Sequence, residues 1–589
     1  MRDLCLAYGP HASYPFYPIS KVETKARFRE LISLLSGSVT ILVACFYSLF
    51  FKSYVDAEQL ILWGIFLLSL LSWMLLPEDK TLRGKWCWAD IALVVFCCYR
   101  IINIHHPFDI SVVLQVLVII SLWILMRADG IRLKPVLIVG LALAATIQTI
   151  IVVVQKIGWV SSNHAYLNVT GSFGNSGPLG GFLVISIVML WTLSFSQKKA
   201  FRTQIELKLL CCLIAVGVVL SGSRAAWLAA VIGMLSFHVW HLRKFRVIAI
   251  VACAFIFFVI SAWLYLLRPT SADARLNIWK TCWNQSTHPH ILGHGTASFP
   301  ATYMSCQTKE LEKCTEEIRR QADDVVAAFN ETLQLYYENG LVGCVLFLIF
   351  LYFVAENQIK LMKRDDSRTG IFTLLAYLVF AQFSYPTSVP PLQVLLPVIV
   401  AGDIKGKHDY AFISGRLFVL TMKRVLLVSC ILAILMRISI NSHLNAYYHL
   451  RTDTALPDGT LSKWLVRHDS YLLDACMQAQ MLVGDYEDAL YSLNLLEGFV
   501  FTAKLQMDRA RIYESLGKMD EAVRCYQLVQ AMRPGLMEPL FAEFQILRMK
   551  SATQTQRLAI RLVNFKPKIR NSRTDAMKAE VLRYLQNLN

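Results

Sequence analysis

Charge is scarce in this 589-residue chain: Asp, Glu, Lys and Arg make up 17% of it, where a soluble protein of this size carries about a quarter. Acidic residues are the scarcer sign, 41 against 58 basic ones, while 56% of the sequence is hydrophobic. That balance excludes an ordinary soluble enzyme, because the space between charges is filled by apolar runs of bilayer length. The basic surplus does not point to nucleic acid, since it recurs as short clusters between those runs. Cysteine is not rare, at fifteen residues, yet no CxxC pair or metal-ligand spacing occurs. Most cysteines lie inside apolar segments as small hydrophobes. Cys282, Cys306 and Cys314 share one polar segment, where a single disulfide is an open expectation if that side is oxidising. No cleavable signal pattern precedes the first apolar run, so that run is expected to be its own insertion signal.

Apolar runs of spanning length fall at about 31–51, 59–76, 87–104, 110–126, 135–155, 177–195, 207–222, 225–240, 247–267, 332–354, 371–385, 388–402 and 425–440. They predict an all-α, polytopic transmembrane bundle of about 12–13 spans. The pair around Pro386, Pro390 and Pro391 is short and is expected to be broken or re-entrant. With the N-terminus in the cytoplasm, basic clusters such as Lys80/Arg83/Lys85, Arg127/Arg132/Lys134 and Lys198/Lys199/Arg202 fall on the inner side. The short outer connections hold Lys52, Arg100, Lys156 and Arg224, so the positive-inside rule sets the orientation. A cytoplasmic tail, 1–30, then precedes a membrane domain, 31–440, whose one long polar interruption, 268–330, lies outside the cytoplasm. That segment is expected to be partly helical from Lys309 to Ala327 and to pack loosely as a lid.

After residue 440 the composition turns soluble and helical, and 441–589 falls on the same outer side. Leu516-Gly517, Ala522, Tyr526 and Pro534 follow the small/aromatic spacing of a tetratricopeptide repeat, and Gly484 and Ala489 stand 33 residues upstream in phase. Such stacks present a concave binding face, although a helical domain that merely buttresses the membrane part fits nearly as well.

Three outward-facing features could carry chemistry. Ser221-Gly222-Ser223-Arg224 forms a tight connection, which alone reads as a hairpin turn with a snorkelling arginine. Arg275, in Ala274-Arg275-Leu276-Asn277-Ile278-Trp279, stands at the start of the long polar segment. Phe329-Asn330-Glu331 opens the next helix and Glu338-Asn339-Gly340 follows, so Glu331, Gln334 and Glu338 share one helical face. Carboxylates and amides on a membrane helix are costly unless they face a cavity or partner.

On these residues the chain resembles the bacterial O-antigen ligase and polymerase superfamily, which includes protein O-oligosaccharyltransferases and has a C-type glycosyltransferase-like fold. The likeness covers about 1–440. It rests on Ser223-Arg224, on Arg275-x-x-Ile278-Trp279 followed by Gly293-His294-Gly295 and Phe299, on Asn330-Glu331-x-Leu333-Gln334 with Glu338-x-Gly340, and on Gly171-Ser172-Phe173-Gly174-Asn175. The resemblance implies transfer of a preassembled glycan from a polyprenyl (undecaprenyl) diphosphate carrier to an acceptor hydroxyl. It places this on the periplasmic face of the inner membrane, without metal or other cofactor. Arg224 and Arg275 match the diphosphate-binding arginines, whose guanidinium groups can neutralise a leaving diphosphate. Ser223, Asn330, Asn175, Trp279, His294 and Glu338 are the further candidates for substrate contact.

The family commonly has His before the Asn, where this chain has Phe329. Three accounts follow: Glu331 is the base, which its neighbours favour; His288, His290 or His294 reaches in from the polar segment; or the activity is lost. A helix-start glutamate also stabilises the positive end of the helix dipole. The acceptor divides the reading among a ligase acting on lipid A core sugars, a protein transferase and a polysaccharide polymerase, and the C-terminal repeats tilt it towards the first two as an acceptor-docking face. A lipid-linked glycan transporter or non-catalytic scaffold is the rival from another class, but a transporter's matched polar breaks in two halves are not found.

Overall fold

The computed structural model describes residues 21–587 apart from 51–54, 76–86, 106, 163, 165–166, 196–199, most of 242–268, 287–290, 365–368, 403, 405–415, 451–458 and 550–551. The expected run at 247–267 and the candidates His288 and His290 therefore lie largely or wholly outside the described residues.

The chain is all-helical. Its first part comprises α1 (Lys21–Phe50), α2 (Val55–Leu75), α3 (Trp88–Ile102), α4 (Ile110–Ile157), α5 (Ser176–Ser194), α6 (Phe201–Leu220) and α7 (Arg224–His241). The polar segment carries α8 (Pro269–Ser286), α9 (Phe299–Leu311) and α10 (Glu316–Gln321). Apolar helices resume with α11 (Glu331–Arg364), α12 (Thr369–Ala381), α13 (Pro390–Ala401) and α14 (Arg416–Leu450). Among the described residues, seven helices are long and apolar enough to cross a membrane, and three shorter apolar ones accompany them.

Two expected runs, 110–126 and 135–155, are joined as α4, which breaks at Asp129 (φ −137°). A Cβ on Gly37 would lie 3.2 Å from Leu133 and 3.6 Å from Leu125. In an unbroken helix those leucines would stand about 12 Å apart, so the halves lie side by side and count as two passes. In lipid, packing rests on close backbone approach more than on water exclusion. The buried helix α5 shows this: a Cβ at Gly180 would strike Ser223 and Ala226 of the α7 start, and one at Gly181 would strike Phe380 of α12.

The stretch from Lys309 to Ala327 is partly helical, as expected: the end of Phe299–Leu311 and the short Glu316–Gln321 lie in it, and the principal helix begins ten residues earlier, at Phe299. The polar segment does not pack loosely as a lid: Ile278, Phe299, Tyr303, Met304, Val325 and Tyr337 form a buried cluster with Ala503, Val529 and Met532 from far along the chain. Cys282, Cys306 and Cys314 are free thiols.

Eight further helices follow: α15 (Thr460–Arg467), α16 (Ser470–Val483), α17 (Tyr486–Leu496), α18 (Ala503–Ser515), α19 (Met519–Met532), α20 (Glu538–Leu547), α21 (Ala552–Asn564) and α22 (Ser572–Gln586). Gly484 (φ +97°) turns α16 into α17, and Gly517 (φ +74°) turns α18 into α19. Ala489 and Ala522, in phase with them, are fully buried where the paired helices meet.

These helices are tied to the first part at many points. The Ile110 amide donates to the His468 carbonyl at 2.8 Å and Ser470 Oγ to Asp109 at 2.7 Å. Arg437 of α14 is ion-paired with Asp469, both side chains almost wholly buried. Losing one member of such a pair costs about 3–5 kcal/mol, because the other charge stays buried. Asp324 accepts from the Ala503 and Lys504 amides at 2.9 and 3.0 Å, satisfying the open N-terminus of α18. Asp323 pairs with Arg533 and Lys568.

Candidate active site

The polar ends of α3, α4, α5, α7, α8 and α11 converge with the turn 382–389 at one end of the bundle. Asn175, the N-cap of α5, accepts from the Gly177 amide at 3.0 Å and donates through Nδ2 to the Tyr385 hydroxyl at 2.9 Å. Arg275, well inside α8, donates to the Phe383 carbonyl at 2.8 Å, and its guanidinium lies 5.0 Å from the centre of the Phe329 ring. That ring meets Tyr385 edge-on, also at 5.0 Å. The Arg275 guanidinium is drawn down to about 10, by burial first and then by the positive charge of Arg224, with Tyr385 opposing. Two arginines from separate elements are thus held as electrostatic neighbours, an arrangement that an anion would relieve.

Phe329 adopts a left-handed backbone (φ +54°), an uncommon conformation for an aromatic residue. The turn aims its ring at Arg275 and lets Asn330 cap α11, Oδ1 accepting from the Leu333 amide at 3.0 Å. Glu331 points elsewhere. Its Oε1 accepts from the Thr387 amide at 2.7 Å, and the Thr387 hydroxyl donates to Oε2. The turn 382–389 therefore serves two neighbours, Phe383 and Tyr385 facing the arginines and Thr387 holding the carboxylate.

Glu331 lines a chamber of about 780 Å³ together with Gln334, Glu338, Arg100, Gln382 and Tyr377. Its deeper wall is apolar (Phe96, Phe347, Leu348, Leu351), and its far wall belongs to the C-terminal helices: Tyr471, Asp474, Phe499, Lys504 and Asp508. Carboxylates dominate the charged lining, with Asp109, Asp474, Asp508, Glu331 and Glu338 against Arg100 and Lys504. Among the described residues Arg100 Nε is buried without a hydrogen-bond partner, and the guanidinium is an electrostatic neighbour of both Glu331 and Glu338.

Other candidates take supporting positions. Glu338 accepts from the Ala297 amide and from Gln334 Nε2, both at 3.1 Å, which occupies its oxygens at the start of α9. His294 stacks on Tyr337 at 4.3 Å and its Nδ1 lies 3.0 Å from the Tyr337 carbonyl oxygen, as a turn residue would. Trp279 donates to the Ala328 carbonyl at 2.9 Å and so fixes the chain just before Phe329. Ser223 is buried against Gly180. Among the described residues no group of three or more His, Cys, Asp or Glu side chains is placed to hold a metal ion.

Sequence reasoning missed Tyr385, Thr387, Arg100 and the far wall. The usable signal for the turn was Gln382, Ser384, Thr387 and Ser388 interrupting an apolar, proline-rich stretch. In the sequence Arg100 stands only as a basic residue of a short outer connection.

Residues 209–348 match the family described as O-antigen ligase. The matched stretch holds Arg224, Arg275, Asn330, Glu331 and Glu338, and stops short of Asn175 on one side and Tyr385 and Thr387 on the other. The match, over about a quarter of the chain, supports a likeness to the O-antigen ligase superfamily and to its glycan transfer in general, and together with the apolar helices it supports a multi-pass membrane protein. No curated protein matches the chain.

Proposed function

We propose that this chain transfers a preassembled glycan from a polyprenyl diphosphate to an acceptor hydroxyl on the outer face of a bacterial inner membrane, as a ligase or protein O-oligosaccharyltransferase. The arrangement that carries the reading is the pair Arg224 and Arg275 on one side of the turn 382–389, with Glu331 facing a chamber on the other. The arginines bind the diphosphate and take up the charge that develops as the glycosidic C–O bond breaks and its electron pair leaves with the phosphate. The acceptor oxygen bonds to the anomeric carbon, and its proton passes to the Glu331 carboxylate, which Thr387 holds in place. The arginines do the work that a divalent cation does in other diphosphate chemistry. The distribution of basic clusters supports a cytoplasmic N-terminus, with both the segment 268–330 and a tetratricopeptide-like C-terminal domain, 441–589, on the acceptor side.

The test is transfer by purified protein of a labelled glycan from polyprenyl diphosphate to core-sugar glycolipid, peptide or carrier-linked acceptors. We expect Arg275→Ala to lower kcat/KM by about 10²–10³-fold and Glu331→Gln by about 10²–10⁴-fold. Full activity in Glu331→Gln overturns the base assignment. Movement of donor lipid between leaflets with no glycan transferred overturns the transferase reading in favour of a transporter, and chain extension on the carrier alone favours a polymerase.

A further inference from the structure

The chamber that Glu331 faces is closed by the C-terminal helices, and that wall is polar at one patch. Lys504 and Asp508 lie one turn apart on α18, and both are electrostatic neighbours of Asp474 on α16. The patch is built firmly: Asp324 holds the first turn of α18, the Phe501 amide donates to the Pro300 carbonyl at 2.9 Å, and Gly498 packs on Pro107. Arg511 braces Asp508 at 3.0 Å. Tyr471 and Phe499 supply aromatic faces beside the patch.

Carboxylates that accept from vicinal hydroxyls, an ammonium that donates to ring oxygens, and flat aromatic faces against C–H surfaces make a surface for sugar. The excess of carboxylates along the chamber disfavours a phosphorylated group. The apolar wall on the membrane side suits an alkyl chain.

We propose that Asp474, Lys504 and Asp508 form an acceptor subsite that positions a neutral, hydroxyl-rich glycan head, carried on a lipid, opposite Glu331. The C-terminal domain is then part of the binding site. This inference rests on the transferase reading for its catalytic meaning, but the subsite is a binding claim that can be measured separately.

The experiment uses full-length protein in lipid nanodiscs and two probes, dodecyl maltoside and dodecyl phosphate, with equilibrium binding and glycan transfer both measured. Wild type should bind the maltoside in preference to the phosphate. The double variant Asp474→Asn/Lys504→Ala should bind the maltoside at least tenfold more weakly, and Lys504→Arg should retain most of the affinity. In transfer, the double variant should raise KM for a glycolipid acceptor at least tenfold while kcat and the donor KM stay within about threefold. Unchanged maltoside affinity in a double variant that melts like wild type overturns the subsite, as does preference for dodecyl phosphate. Binding lost in the double variant, with no transfer by wild type, upholds the subsite and sinks the transferase reading. Transfer by wild type with acceptor KM unmoved in the double variant does the reverse.

Discussion

At the scale of single residues, Phe329 stands where the family that the chain resembles commonly has His, and its surroundings give it a different use. The position faces Arg275, with ring and guanidinium 5.0 Å apart, while the carboxylate that follows two residues later faces the chamber. An aromatic here contributes by holding a buried cation, worth about 1–2 kcal/mol once water is excluded. Phe329→Ala should therefore raise the donor KM about 5–30-fold with a smaller change in kcat, as steady-state transfer kinetics would show. A loss confined to kcat would instead assign Phe329 to the chemical step. None of this was legible in the sequence, where Phe329 registered as a missing histidine: the direction of a side chain at a left-handed backbone position depends on what the flanking turns pack against.

At the scale of elements, α11 is interrupted at Gly340 (φ +62°, ψ −163°), which separates its polar opening from its apolar length. The interruption is filled by the segment 291–296. The Val342 amide donates to the Ile291 carbonyl at 3.2 Å, while the His294 and Gly295 amides donate to the Tyr337 and Glu338 carbonyls at 3.0 and 2.8 Å. Backbone groups freed by the break thus regain partners, as burial demands. Gly293 (φ +75°) lies so close that a Cβ would run into the Glu338 carbonyl. Gly293→Ala should destabilise the protein by about 1–3 kcal/mol, read as a lowered melting temperature, and reduce transfer through displacement of α11. An unchanged melting temperature would mean that the segment shifts freely. The Gly293-His294-Gly295 motif is visible in the sequence only as part of the resemblance, and the structure shows its work: it mends a helix break nine residues past the proposed base.

At the scale of the whole molecule, the polar segment and the C-terminal helices are clamped through Asp323. Burial raises the affinity of its carboxyl for protons, but Arg533 and Lys568 outweigh that and hold it below the usual aspartate range. A carboxyl that keeps its charge to lower pH when docked stabilises the docked state fully above about pH 5. That contribution fades as the pH falls through about 4 and below. The melting-temperature gap between wild type and Asp323→Asn should accordingly be largest near neutral pH and close towards pH 3. A gap independent of pH would show that the clamp does not depend on this charge.

Composition and hydropathy by themselves determined the helical membrane class and nearly all the apolar helices among the described residues, because helix length and apolar content are local properties of the chain. The two arginines and Glu331 could be picked out because they stand in short motifs that resemble those of the O-antigen ligase superfamily. What the tertiary structure alone decided is how they divide around the turn 382–389, and that helices more than a hundred residues downstream wall the chamber. Such contacts join residues such as Asp324 and Ala503, or Asp109 and Ser470. No periodicity within a segment encodes them, since they depend on how the packed bundle and the C-terminal helices fit together in space.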